Sequence, residues 1–267
     1  MGIFLVVIAV VVVGLVLTQV VLSNQFGSKI DGLSRRLTAG QLNGAASPQP
    51  PANIRAYALR NGGRVGGPST VAMVQAAEMR LAPGQPFFSL HASQISGTRT
   101  PGFVWQASGR MSGLIPLRIL DSYVDGIGLL EVRIGGSAPI ASSTGKETAK
   151  GEAMRFLAEL PWNPDAILNA GILMWREIDS LAVAVSMNTV GGLAEITLRL
   201  NQAGDVIAVD AEARPRAGDT PARWVGRFGD YVRVGSYRFP RHGEIAWDLP
   251  EGEFIYWRGE ILSLTGN

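Results

Sequence analysis

The chain has 267 residues, of which 17% are charged, a formal net charge of +2 and no cysteine. Without cysteine there are no disulfides, zinc–thiolate sites, iron–sulfur clusters or thiol nucleophiles. A charge balance this close to neutral offers no field for holding nucleic acid, even with a pI near 9.1.

Ile3 to Leu22 is almost wholly Val, Ile, Leu and Ala, interrupted by Gly14, Thr18 and Gln19. The run matches the roughly 20 residues that cross a bilayer core. A cleaved signal peptide would need a basic start and a small-x-small cleavage site, and neither Met1-Gly2 nor Leu22-Ser23-Asn24 supplies one. Residues 1–25 are therefore expected to form an uncleaved single-pass transmembrane helix, which makes the membrane the first expected partner. Lys29, Arg35 and Arg36 follow the span, and by the positive-inside rule they favour a cytoplasmic domain.

Phe26, Ile30, Leu33 and Leu37 continue a helical stripe, expected as a short juxtamembrane helix resting in the headgroups. Gly40 to Ala52 is polar and Pro-containing, so residues 26–52 read as helix plus linker and residues 53–267 as one β-rich domain. Asn53 opens a short helix through Leu59.

After Pro68 the period changes to two. Val71, Met73, Ala77 and Met79 share one face, and Phe88, Leu90 and Ala92 alternate with Ser89, His91 and Ser93. Further short strands follow through Ala107, from Ile115 to Tyr123, and up to Ile134, with Gly and Pro turns between them. The pattern is that of an antiparallel meander.

One helical stretch interrupts it. Ala149, Ala153, Phe156, Leu157 and Leu160 recur at helical spacing, and Thr144 with Glu147 has capping-box spacing. The expected helix runs from Thr144 to Leu160 and stops at Pro161. Strands then resume at Ile172–Ile178, Leu181–Met187, Leu193–Leu200, Val206–Ala213, Arg223–Val234, Glu244–Leu249 and Phe254–Leu264. The expected fold is α+β and mostly antiparallel, a curved sheet or half-barrel with one covering helix, preceded by a transmembrane helix.

The blocks PGFVW, DSYVDGIGLL (Asp121 to Leu130), RFLAELPWNPDAIL (Arg155 to Leu168), PARWVG and RFPRHGEIAWDLPEGEFIYWRGEI (Arg238 to Ile261) resemble an uncharacterised prokaryotic domain-of-unknown-function family. That family is often preceded by a membrane span. The resemblance covers Asn53 to Leu264 and implies no activity, cofactor or catalytic residue. The order of strands, one helix and more strands is also similar to lipoprotein-carrier-like half-barrels, whose helices cover a hydrophobic concave face.

Chemistry is sparse. No G-x-S-x-G occurs, and His91 and His242 are the only imidazoles, one on the polar face of a strand and one in the turn PRHG. Both read as surface groups, and two distant histidines leave no metal site. The Gly145-Lys146 of STGKE reads as a helix start, and no nucleotide or other cofactor is expected. Asp121 and Asp125 form a candidate polar site: a pair of acids on one strand face suits acid/base chemistry, and acids beside Gly126 suit turn amides. The turn role ranks first.

Six tryptophans stand out because each buries a large area while keeping one N–H donor. Trp105, Tyr123, Phe156, Leu160, Trp175 and Trp257 are the residues expected to line an apolar site, placed beside Phe156 and Leu160. The leading functional expectation is a membrane-anchored, non-catalytic binding or carrier module for a hydrophobic, lipid-like ligand. A structural or protein-interaction domain of an envelope assembly comes second, and an acid/base hydrolase using Asp121 and Asp125 third.

Overall fold

The fold was obtained as a computed structural model, in which the structure describes residues 2–40, 49–216 and 218–267. Most of the expected linker, residues 41–48, lies outside the described residues. Helix α1 (Gly2–Ala39) is followed by α2 (Ala52–Arg60) and six strands: β1 (Thr70–Met79), β2 (Phe88–Gly97), β3 (Phe103–Met111), β4 (Ile115–Val124), β5 (Ile127–Ile134) and β6 (Ala138–Thr144). Helix α3 (Lys146–Ala158), a single 3-10 turn (Leu160–Trp162) and α4 (Pro164–Asn169) come next. The chain closes with β7 (Met174–Asp179), β8 (Ala182–Thr189), β9 (Gly192–Leu200), β10 (Val206–Arg216), β11 (Asp219–Val234), β12 (Tyr237–Leu249) and β13 (Gly252–Gly266).

Among the described residues, 13 strands belong to one curved, unclosed sheet in the order β6-β5-β4-β3-β2-β1-β13-β12-β11-β10-β9-β8-β7. Each half is a meander, and the halves are zipped together where the first strand pairs with the last, Val71 opposite Gly266 and Met79 opposite Trp257. Strands β6 and β7 are the two edges, and the segment α3–α4 is the chain that connects them.

Antiparallel register gives the sheet two distinct ends. The β1–β2, β3–β4, β5–β6, β10–β11 and β12–β13 turns lie at one. The other carries the β2–β3, β4–β5, β9–β10 and β11–β12 turns. Helices α2 and α4 plug that second end. Arg60 reaches Gly204 O and Asp205 there, Asn163 donates to Gly97 O at 3.0 Å, and the Tyr57 hydroxyl donates to Pro161 O. Arg238 holds Asp205 with both guanidinium nitrogens, at 2.7 and 2.8 Å.

Alternation decides what fills the concave side. Val71, Met73, Leu90, Phe103, Trp105, Val183, Val185, Ile196, Leu198, Val209, Phe239 and Leu264 all point inward and join one buried cluster with the apolar stripe of α3. That stripe, Ala149, Ala153, Phe156, Leu157 and Leu160, is buried as its spacing implies. Its small end packs closest: a Cβ on Gly128 of β5 would sit 2.7 Å from the Ala149 backbone.

Two local expectations are revised. Thr144 does not cap α3, because it is the last residue of β6 and its hydroxyl bonds Gly128 O across the ladder. Gly145, at φ +105, makes the strand-to-helix reversal instead, a conformation L side chains rarely adopt. Strand β6 itself carried no alternating signal, since its residues are almost all exposed.

The second revision concerns α1. Phe26, Ile30 and Leu37 do not rest among headgroups but pack on the convex face of the sheet, against Val104, Leu120 and Val124. The flanking charges settle on the same surface. Lys29 pairs with Glu131 at 2.6 Å, Arg36 with Asp125 at 2.6 Å, and the Phe26 ring lies under the guanidinium groups of Arg118 and Arg133. A buried phenyl ring removed by truncation costs about 3–5 kcal/mol where the site cannot collapse. Phe26→Ala is therefore expected to free this half of α1 while leaving the sheet intact, read as lost amide-exchange protection over residues 26–37 without loss at β8–β9.

Candidate functional site

Helix α3 is too narrow to cover the whole concave face. Between it and the sheet lies a cavity of about 550 Å³. It sits in the half of the sheet away from α2 and α4 and opens at that end, past Leu81, Met111, Ile140, Arg216 and Phe254. Its walls come from both halves of the sheet, including Phe88, Ile119, Leu130, Val132, Ile245 and Tyr256.

Five of the six tryptophans line it: Trp105, Trp162, Trp224, Trp247 and Trp257. Three of them have their N–H groups engaged. Trp105 donates to Gln75 at 2.8 Å, Trp162 to Pro240 O at 2.7 Å and Trp224 to the Tyr256 hydroxyl at 3.1 Å. Trp105 and Trp162, whose partners do not line the space, thus present carbon to the cavity. Gly243 and Gly259 are opposite one another on β12 and β13 and let two rings lie flat, since a Cβ would come within 2.8 Å of Trp162 and 2.6 Å of Trp257.

The polar content comes from the other flank of α3. Glu152, Arg155 and Glu159, spaced i, i+3, i+7, turn toward the cavity while the apolar stripe faces the sheet. Arg155 is the hub. It bonds Asp121 at 2.5 Å, Glu159 at 2.8 Å and the Gln94 side-chain oxygen at 3.3 Å, and it lies 4.6 Å from the Phe103 ring centroid and 5.0 Å from that of Trp105. Burial would lower its pKa, but Glu159, Asp121 and Glu152 together raise it, so it stays a cation. Arg214 of β10 makes the second centre, 3.6 Å from Glu152, donating to Gly151 O and stacked 4.5 Å over Trp224.

Glu152 and Asp121 face each other. Burial first, and the Asp121 carboxylate second, push the Glu152 carboxyl up to about 8. Asp121 Oδ1 and Glu152 Oε2 are buried and, among the described residues, accept no hydrogen bond from a donor. A proton kept on Glu152 at neutral pH satisfies both oxygens with one hydrogen bond.

The residues expected from sequence divide cleanly by position. Trp105, Trp257 and Asp121 line the cavity. Tyr123, Phe156 and Leu160 are buried in the surrounding core and do not reach it, and Trp175 packs half-buried on edge strand β7. Asp125 sits in the β4–β5 turn at φ +53, paired with Arg36 of α1. Asp121 and Asp125 therefore serve different partners and do not converge. His91 and His242 lie together in an open groove on strand faces outside this cavity, with His242 Nδ1 2.8 Å from Asp230.

The family model for DUF6544, described as a family of unknown function, matches residues 42–259. The chain belongs to DUF6544. No curated protein matches the sequence. Among solved structures, a LolA-superfamily protein of Nitrosomonas europaea superposes with a TM-score of 0.41 at 10% identity, over 80% of this chain and 92% of that one. A DUF1329-family protein of Desulfovibrio piger gives 0.45 at 9%, over 82% and 94%. A putative outer-membrane lipoprotein-sorting protein domain of Vibrio parahaemolyticus gives 0.44 at 8%, over 80% and 91%.

Arg155, Glu152, Glu159, Arg214, Trp224 and Trp247 were not anticipated as cavity residues in this DUF6544 domain. A charged i, i+3, i+7 row on an amphipathic helix ordinarily marks the solvated face, and only the curvature of the sheet turns it inward. The Glu152 carboxyl gives a direct test. In the unfolded chain it loses its proton near 4.5 and in the folded one near 8, so folding takes up a proton across that window and stability falls as pH rises through it. Glu152→Gln cannot ionise. Thermal melts are expected to show variant and parent alike below pH 4.5, with the variant higher by roughly 5 °C at pH 8.5.

Proposed function

We propose that this protein is a membrane-anchored, non-catalytic binding or carrier module whose concave cavity takes an apolar, chain-like ligand such as a lipid acyl chain. The observation that carries this reading is the cavity itself. About 550 Å³ of space is walled largely by aliphatic and aromatic side chains, its charged groups gathered along one flank of α3 and paired with one another. That volume falls within the ~300–1,000 Å³ of ligand pockets, and burying ten methylenes would contribute about 8 kcal/mol before the cost of immobilising the chain.

The charged groups support binding over catalysis. Arg155 is held by Asp121, Glu159 and Gln94, and Arg214 by Glu152, a backbone carbonyl and two indole faces. These pairs are engaged with one another, which suits fixing α3 over the sheet. Helix α1 supplies the anchor. Its apolar window has a mean hydropathy of 2.8, is nowhere covered by the rest of the chain, and is long enough to cross a membrane.

Native mass spectrometry of the full chain released from detergent micelles is expected to show a retained adduct of lipid mass. Leu130→Trp, which places an indole on a half-buried wall residue, should lower occupancy about tenfold with the melting temperature unchanged. A bare chain, or an adduct indifferent to that substitution, would count against the reading.

A further inference from the structure

The open end of the cavity and the exit of α1 are at the same end of the sheet. Helix α1 runs along the convex face with Arg36 at the β4–β5 turn and its earlier residues at the β5–β6 turn. There Gln19 Nε2 donates to Gly135 O at 3.2 Å, the Ser137 hydroxyl donates to Gln19 Oε1, and a Cβ on Gly136 would lie 2.8 Å from Ser23 Oγ. Residues 3–22, the apolar run, continue outward from this point with no break in the helix. At 1.5 Å per residue a run of about 20 residues spans a hydrocarbon core, so the bilayer surface falls within about one turn of Gln19. The β5–β6 turn is therefore level with the membrane interface, and the neighbouring turns on that rim are brought to it.

The composition of those turns agrees. Leu114 is 81% exposed and Leu81 66% exposed, and Ile115 and Ile140 are exposed beside them. Arg80, Arg110 and Arg118 accompany them, and from Met79 to Leu120 the sequence holds no Asp or Glu. The apolar, basic composition is confined to the turns of the first half of the sheet: at the same end, the β10–β11 and β12–β13 turns of the second half carry Asp219, Asp248, Glu251 and Glu253. Apolar tips with arginines and no carboxylate fit an anionic lipid surface.

We propose that the β1–β2, β3–β4 and β5–β6 turns form a bilayer-contacting rim, so that the cavity opens onto the anionic membrane surface from which α1 emerges and exchanges its ligand with lipid directly. This rests on the reading of α1 as a membrane anchor. It adds an orientation that a merely tethered domain would not have.

The absence of cysteine makes site-specific labelling clean. Full-length chains carrying Leu114→Cys, Ile140→Cys, Val65→Cys or Val10→Cys are labelled with an environment-sensitive nitrobenzoxadiazole probe. They are then reconstituted into vesicles of phosphatidylcholine with a phosphatidylglycerol minority and a brominated-lipid quencher. Val65 is exposed at the plugged end, and Val10 lies within the apolar run. Quenching at positions 114 and 140 is expected to exceed that at 65 by at least about threefold, and to fall about twofold when phosphatidylglycerol is omitted. Strong quenching at 10 with 114 no different from 65 would overturn the rim while leaving the anchor. Absence of quenching at 10 would remove the anchor and the rim with it. A probe at 114 that is shielded from water yet not quenched by lipid would assign the rim to a protein partner and overturn the proposal. Quenching at 114 that is equal in neutral vesicles would overturn its charge component.

Discussion

A sheet that curves without closing leaves its concave face to be covered, and here one helix does the covering. Helix α3 has 13 residues, about 20 Å of length at 1.5 Å each, set against a surface of 13 strands. It must join β6 to β7, the two edges, and so it is pinned across the concave side by connectivity as well as by its apolar stripe. Its small residues let it settle close to β5, and Phe156, Leu157 and Leu160 complete the packing toward the plugged end. What remains uncovered is the other half of the concave face. The cavity is thus a consequence of topology: the strands cannot close it and the helix cannot span it.

Electrostatics then fix how the helix sits. Turning Glu152, Arg155 and Glu159 toward an apolar space would be costly for any of them alone, since an unpaired buried charge loses several kcal/mol. The arrangement avoids this by supplying each group with a partner from a different strand: Asp121 from β4, Gln94 from β2 and Arg214 from β10. These strands lie on opposite halves of the sheet, so the network ties both halves to α3 where backbone pairing does not. Such pairs contribute less net stability than equal apolar area would, but breaking one exposes the other to the full desolvation cost. The protonated Glu152 fits the same logic, because a shared proton removes one negative charge from a site that already holds Asp121 and Glu159.

Much of the fold was legible because alternation survives wherever one face of a strand is buried. Val71, Met73, Ala77 and Leu90 announce β1 and β2, and the stripe from Ala149 to Leu160 announces α3. Strand β6 was not legible, since neither of its faces is buried and period two has nothing to report. The cavity was only half legible. Trp105 and Trp257 could be named because large amphipathic rings are plausible walls in any fold, yet Phe156 and Leu160 were placed on the wrong side of α3 for lining it. An apolar stripe tells which residues a helix buries, and it does not tell whether they meet strands or space. The charged row that does face the space looks like a solvated face until the sheet is seen to wrap beyond it. The same limit applies to α1, where Phe26, Ile30 and Leu37 gave the stripe but not the surface that receives it.

That docking decides how the apolar run of α1 is held relative to the sheet. Three side chains buried at about 1.5–3 kcal/mol each, with the Lys29–Glu131 and Arg36–Asp125 pairs alongside, hold residues 26–37 against the sheet more firmly than a flexible linker could. The helix is continuous from the apolar run into this docked portion, so the run and the sheet share one axis instead of a hinge. The docked segment follows the apolar run directly along the same helix. The geometry of the domain relative to the run is therefore set by packing on the convex face, on the side of the sheet opposite the cavity. A single helix thus joins two unlike halves, the first apolar on all sides and the second apolar only where β2, β3 and β4 receive it.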